Sequence, residues 1–194
     1  MTREDYIELV RPMLHRKRFE HSLNVARQAE YLAQLHGEDE EKAWTAGILH
    51  DICKNMSQEE QLHWMQKSAI ILDKNLLRQP PVWHGFAAAE YLRQVVGIED
   101  EQIINAVRYH TTARAGMSRL EQIIYLADLT SDERDYPDVD KMRRIVRRSL
   151  SEGMQEALIF AVSNQAARRL PLCIDTCLAY NEYLSGTPAG ADAL

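Results

Sequence analysis

The sequence predicts an all-α fold, a single-domain helical bundle, on three observations. Glycine and proline are sparse, 8 and 6 of 194 residues, too few for a sandwich built on many tight turns. Ala, Leu, Glu, Gln and Arg, all good helix formers, dominate, and no persuasive run alternates apolar with polar residues. Several histidines and aspartates fall at helical spacing on apolar stripes, the faces that a bundle buries.

The elements follow in order. Thr2 caps a first helix that ends near Leu14. A second runs from about Arg16 to Leu35, with Gly37 as its stop. A third spans about Glu40 to Cys53. Ser57 opens a fourth, with Glu60 three residues later as in a capping box. Ile70 to Leu77 reads as a short segment, ended by Gln79-Pro-Pro-Val. A helix from about His84 to Val96 comes next. Further helices are expected at about Glu101–His110, Arg119–Leu129, Asp138–Ser151, Met154–Arg169 and Leu172–Leu184. Residues 1–185 form one domain on this reading, and 186–194, rich in small residues, form a flexible C-terminal tail.

The net charge of −6 counts against a duplex nucleic-acid binder, which presents a basic surface. The basic run from Lys141 to Arg148 reads as a solvated helix face. Three cysteines, Cys53, Cys173 and Cys177, form no CxxC pair and follow no signal peptide, so reduced thiols in a cytoplasmic protein are expected. No apolar run approaches the roughly 18 residues that span a bilayer, so no membrane partner is expected. A homodimer is compatible with everything so far.

The chemistry lies in polar residues on apolar faces. His21 shares a stripe with Val25, Ala29 and Leu32. Asp51 lines up with Trp44, Gly47 and Ile48; His50 is its neighbour, and Lys54 follows one turn later. His110 continues Ile103, Ala106 and Val107. Asp128 continues Leu120 and Ile124. His84 shares a face with Ala88, Tyr91 and Val95. A single such histidine is more often a hydrogen-bonded core residue than a ligand. Four histidines and two aspartates on the inward faces of five helices are harder to bury without a cation. A bundle can converge such side chains on a central metal. His15, His36 and His63 lie at helix ends or in a polar stretch and read as surface or boundary residues.

This order, His21, His50-Asp51, His84, His110 and Asp128, resembles the HD-domain phosphohydrolase superfamily. A lone HD dipeptide is weak. His21, Leu49-His50-Asp51-Ile-Cys-Lys54 and Ala127-Asp128, each on a predicted helix, is specific. Arg18-Phe-Glu-His21, Trp83-His-Gly, Tyr109-His-Thr-Thr112, Tyr125-Leu-Ala-Asp128, Glu133-Arg134-Asp-Tyr-Pro and Leu170-Pro-Leu are similar to one branch, the YqeK-type bacterial hydrolases. The likeness covers nearly the whole chain up to Leu184.

The resemblance implies symmetrical hydrolysis of diadenosine tetraphosphate to two ADP by a metal-activated water. His21, His50, Asp51 and Asp128 are the implied metal ligands. Mixed imidazole and carboxylate donors suit iron, manganese, cobalt or zinc, and the family suggests iron. His84 and His110 either hold a second ion or contact phosphate. Asp51, Lys54, His84 and His110 are the candidate catalytic residues. Arg18, Lys54, Arg134 and Thr111 are candidate phosphate contacts, with Thr112 beside them. Leu170 and Cys173 are candidates for a base pocket. Two rival readings stay open: an HD phosphohydrolase of another nucleotide, and a nonenzymatic nucleotide sensor. A plain helical interaction domain leaves the six inward ionisable residues unexplained.

Overall fold

Capping decides where most helices begin. In the computed structural model, which describes residues 1–68 and 74–185, Thr2 and Asp5 form a capping box at the head of α1 (Arg3–Val10). A 3₁₀ turn, Arg11–Met13, follows. α2 (Arg16–His36) ends at Gly37, whose φ of 68° is the left-handed stop expected there. Asp39 caps α3 (Glu40–Leu49), and Ser57 and Glu60 form the expected capping box on α4 (Gln58–Gln66). Two 3₁₀ turns, Leu76–Arg78 and Pro80–Val82, lead into α5 (Trp83–Tyr91). Residues 69–73, most of the expected short segment, lie outside the described residues, as does the tail at 186–194.

α6 (Glu101–Tyr109) and α7 (Arg119–Thr130) start on Asp100 and on a Ser118–Glu121 capping box. α8 (Val139–Arg148), α9 (Leu150–Ala167) and α10 (Ile174–Ser185) complete the described chain, which contains no strand. α2 packs against α3 and α7, and α6 packs against α3, α5 and α7. α9 covers α7 from outside and carries α8 and α10. No helix among the described residues is long and apolar enough to cross a membrane. All three cysteines are free; Cys53 and Cys173 are buried and Cys177 is half-buried.

Three expectations change. α3 stops at Leu49, not Cys53. The carbonyl of Gly47, which would accept the next helical N–H at Asp51, accepts instead from the His50 ring at 2.7 Å. Residues 50–56 then proceed in tight turns, including Lys54 N–H to Asp51 at 2.7 Å. α5 gives way to a π turn at Leu92–Val96, which shifts its register, so Val95 is 55% exposed instead of sharing His84's buried face. Ser149 is extended and its hydroxyl caps Glu152, so α8 ends and α9 begins within one residue.

Two helix crossings are close enough to need glycine. A Cβ on Gly47 would sit 2.7 Å from the Ala26 backbone, so α3 rests directly on α2. A Cβ on Gly85 would sit 2.8 Å from the Arg108 carbonyl, so α5 rests on α6. A buried Arg108–Glu90 ion pair at 2.8 Å ties the same two helices. These crossings bring the residues next to Gly47 and Gly85 to the middle of the molecule: His50 and Asp51 on one side, His84 and His110 on the other.

Candidate metal centre

His50 and His110 are built the same way. Each is the residue that ends its helix, α3 or α6. Each ring donates Nδ1–H to the carbonyl three residues back, Gly47 or Val107, at 2.7 Å. A carbonyl only accepts, so Nδ1 carries the proton and Nε2 presents a lone pair. His21, on the inward face of α2, reaches the same state by a different route. Its Nδ1 donates to the Glu133 carboxylate, which also accepts from Asn24 at 2.8 Å and Ser131 at 2.8 Å. The second nitrogens of His21 and His50 are buried with no hydrogen-bond partner.

Those nitrogens face carboxylates. His21 Nε2 lies 3.0 Å from Asp128 Oδ1 and 3.9 Å from Asp51 Oδ2. His50 Nε2 lies 3.4 Å from Asp51 Oδ2. On the other side of Asp51, His84 Nε2 lies 3.1 Å and His110 Nε2 3.7 Å from Oδ1. His21, His50, Asp51, His84 and His110 are all buried. Three overlapping sets have donor atoms mutually within 4.8 Å: His21, His50 and Asp51; His50, His110 and Asp128; Asp51, His84 and His110.

Burial alone would push the Asp51 carboxyl up; the imidazoles around it, His50 first and then His110 and His84, outweigh burial and hold Asp51 well below the usual carboxylate range. Asp128 behaves alike: burial raises it, and His21, His50 and Arg134 bring it far lower. Burial pushes His84 down to about 4 against the pull of Asp51, so its ring is neutral at pH 7. Two anionic carboxylates face imidazole lone pairs whose protonation burial disfavours, an arrangement that suits a cation between them in addition to the Arg18 and Arg134 guanidiniums at its edge. The residues therefore fit a divalent metal, and three sets of donors give room for one ion or two. No cysteine belongs to any of the three donor sets among the described residues.

Cations surround the cluster. Arg18 donates to Asp51 Oδ2 at 2.8 Å. Arg134 donates to the Asp128 carboxylate, and its Nε to the Asp128 carbonyl at 2.7 Å. The Lys54 ammonium stands 3.2 and 3.3 Å from the two nitrogens of His84. Burial lowers the Lys54 pKa, with Asp51 opposing.

Two cavities adjoin the cluster. One, of about 400 Å³, is lined by His110, Thr111 and Asp128, by apolar groups that include Pro81, Tyr125, Phe160 and Leu170, and by Arg78 and Arg168. Thr111 Oγ1 there has no partner. The other, of about 810 Å³, is lined by His21, Lys17, Arg18, Arg134 and Tyr136 among others.

The structure thus brings together every expected metal-site residue, with Lys54, Arg18 and Arg134 around them. Thr111 and Leu170 line the first cavity. Cys173 does not; it is buried, and Pro171 lines the cavity in its place. Thr112 is buried, and its carbonyl accepts from Thr176 at 2.7 Å. His15 and His63 are exposed and His36 is half-buried, its ring bonded to the Val146 carbonyl at 2.9 Å. Sequence reasoning assigned no role to Glu133. The signal available was a carboxylate just beyond the helix that carries Asp128. It also read Arg143 as part of a solvated face. Its guanidinium instead bonds the carbonyls of Thr130, Ser131, Asp132 and Arg134 at 3.1, 2.8, 3.3 and 3.0 Å, clamping the loop that carries Glu133.

A bundle whose helix ends converge imidazoles and carboxylates on one buried point, flanked by cations, is a metal-dependent helical protein built to receive an anion. The model of the HD domain matches residues 18–132, and the chain belongs to that family. It is similar to proteins named symmetrical bis(5'-nucleosyl)-tetraphosphatase. That of Halalkalibacterium halodurans is 34% identical over 95% of this chain and 98% of its own length. That of Bacillus subtilis is 33% identical over 96% of this chain and 100% of its own. A crystal structure from Clostridium acetobutylicum, described as that of a predicted HD superfamily hydrolase involved in NAD metabolism, superposes with a TM-score of 0.92 at 30% identity, covering 96% of this chain and 99% of that one.

Proposed function

We propose that this protein hydrolyses diadenosine tetraphosphate symmetrically, adding one water to give two ADP, with a divalent cation held by His21, His50, Asp51 and Asp128. The carrying observation is the pair of buried, unpartnered imidazole nitrogens aimed at two carboxylates, at a point where two cavities adjoin. The relatives' names supply the substrate. Iron is the expected metal, with manganese, cobalt and zinc compatible with the same donors. A bound divalent ion supplies Lewis acidity, which acidifies water and draws charge from phosphoryl oxygens.

The chain's own residues do the rest. Arg18 and Arg134 are placed to release their carboxylate partners and pair with phosphate oxygens, to which a guanidinium fork is well matched. Lys54 offers a third cation beside His84. His84 and His110 contact phosphate or complete a second ion site, since each presents a ring nitrogen toward Asp51. The first cavity takes one nucleoside, with Thr111 offering its hydroxyl and Leu170 its side chain. Cleavage at the centre of the tetraphosphate follows if the middle phosphates lie over the cluster.

The test is product analysis with metal content measured on the same sample. ADP as the sole product, lost with chelator and restored by iron or manganese, is expected. Turnover that survives metal removal overturns the metal reading. No turnover by a metal-loaded sample, against a panel in which another phosphorylated nucleotide is cut, overturns the substrate.

A further inference from the structure

A substrate with two identical halves, cut at its midpoint, must place one half on each side of the reacting centre. The two cavities beside the cluster are unlike. The first is walled mainly by apolar groups, with Arg78 and Arg168 also in its lining, and its volume of about 400 Å³ is at the small end of the range for one small-molecule ligand. The second is wider, about 810 Å³, and carries Arg16, Lys17, Arg18 and Arg134 against two acids, Glu133 and Asp135. Glu133 is already engaged by His21, Asn24 and Ser131. Arg16 pairs with Glu20 at 2.9 Å. Lys17 has no acidic partner among the described residues.

The centre touches both spaces. His110 and Asp128 line the first cavity, and His21, 3.0 Å from Asp128, lines the second. The rings of Tyr136, which lines the second cavity, and Phe160, which lines the first, stack at 5.1 Å between centroids.

We infer that the second cavity takes the other nucleoside diphosphate half and recognises it by its phosphates, through Lys17, Arg18 and Arg134, rather than by its base. The inference rests on the dinucleoside tetraphosphate reading above. The enzyme then has one selective and one permissive nucleotide site, although its substrate is symmetrical. A tetraphosphate bearing adenosine at one end and another nucleoside at the other is cut with little loss.

Equilibrium dialysis of labelled ADP against the metal-loaded full chain tests this. Two ADP per chain are expected in the wild type and one in Lys17→Glu. Lys17 is exposed in the first turn of α2, where an acidic residue suits the helix, so the variant keeps its fold. In kinetics on diadenosine tetraphosphate, Lys17→Glu raises KM by about tenfold or more, the effect of one charged phosphate contact, with kcat nearly unchanged. Ala161→Trp, which fills the first cavity, removes the other ADP and leaves the Lys17-dependent one. A single ADP in a wild type that cleaves the tetraphosphate overturns the inference, as do two ADP retained by Lys17→Glu. A wild type that cleaves no tetraphosphate overturns the parent reading instead, and dialysis still reports on the cavity.

Discussion

His50 and His21 belong to the same cluster and are held in opposite ways. His50, like His110, is fixed by a carbonyl three residues back in its own helix. His21 is fixed by Glu133, 112 residues away, on a loop that Arg143 clamps from α8. The first arrangement uses only local backbone, so no side-chain change elsewhere releases it. The second is a carboxylate–imidazole relay whose geometry depends on three elements meeting correctly. Such outer partners set ring orientation and basicity in metal sites. The inner half of the centre is therefore expected to be robust, and the outer half tunable.

The largest effect expected is from Asp51, which both halves share. Asp51→Asn removes the anion that faces four imidazoles, and both bound metal and ADP release fall to background; a variant with full metal content and turnover breaks the whole scheme. Next comes the relay. Glu133→Ala lowers metal affinity by about 10- to 100-fold in chelator competition, and Glu133→Gln, which still accepts from His21, recovers part of it. Unchanged affinity in Glu133→Ala would erase the distinction between the halves.

A smaller change is expected at the clamp. Arg143→Met frees four backbone carbonyls and lowers metal affinity less than Glu133→Ala does. It costs about 1 kcal/mol of stability, seen as a fall of roughly 2–4 °C in Tm. Loss of stability without loss of affinity would detach the loop from the metal. The smallest effect concerns Thr111, next to the locally anchored His110. Thr111→Val removes an unpartnered hydroxyl from the first cavity. It raises KM a few-fold, in line with one neutral hydrogen bond of about 1 kcal/mol, and leaves metal content unchanged. A drop in metal content there would mean that the inner half is not as self-contained as its hydrogen bonds suggest.

Much of this was legible in the chain because its causes are short-range. Ser57 with Glu60, and Gly37 after α2, mark helix ends through hydrogen bonds and backbone conformations that span a few residues. Val25, Ala29 and Leu32 mark the buried face of α2 and so place His21 in the interior. The spacing of His50-Asp51, His110 and Asp128 named the cluster before any helix was packed. The end of α3 was misjudged because a side chain, His50, takes a backbone acceptor, and helix propensity does not register that competition.

What remained belonged to the tertiary structure. That Glu133 meets His21, that Arg143 turns inward to four carbonyls while Arg144, Arg147 and Arg148 face water, and that two dissimilar cavities adjoin the centre all depend on how α2, α7, α8 and α9 cross. Nothing within one turn of any of these residues encodes those meetings. Local pattern determines which side chains go inside and what chemistry they carry; only the angle and closeness of packed helices, set at contacts such as Gly47 on Ala26 and Gly85 on Arg108, decide which of them touch.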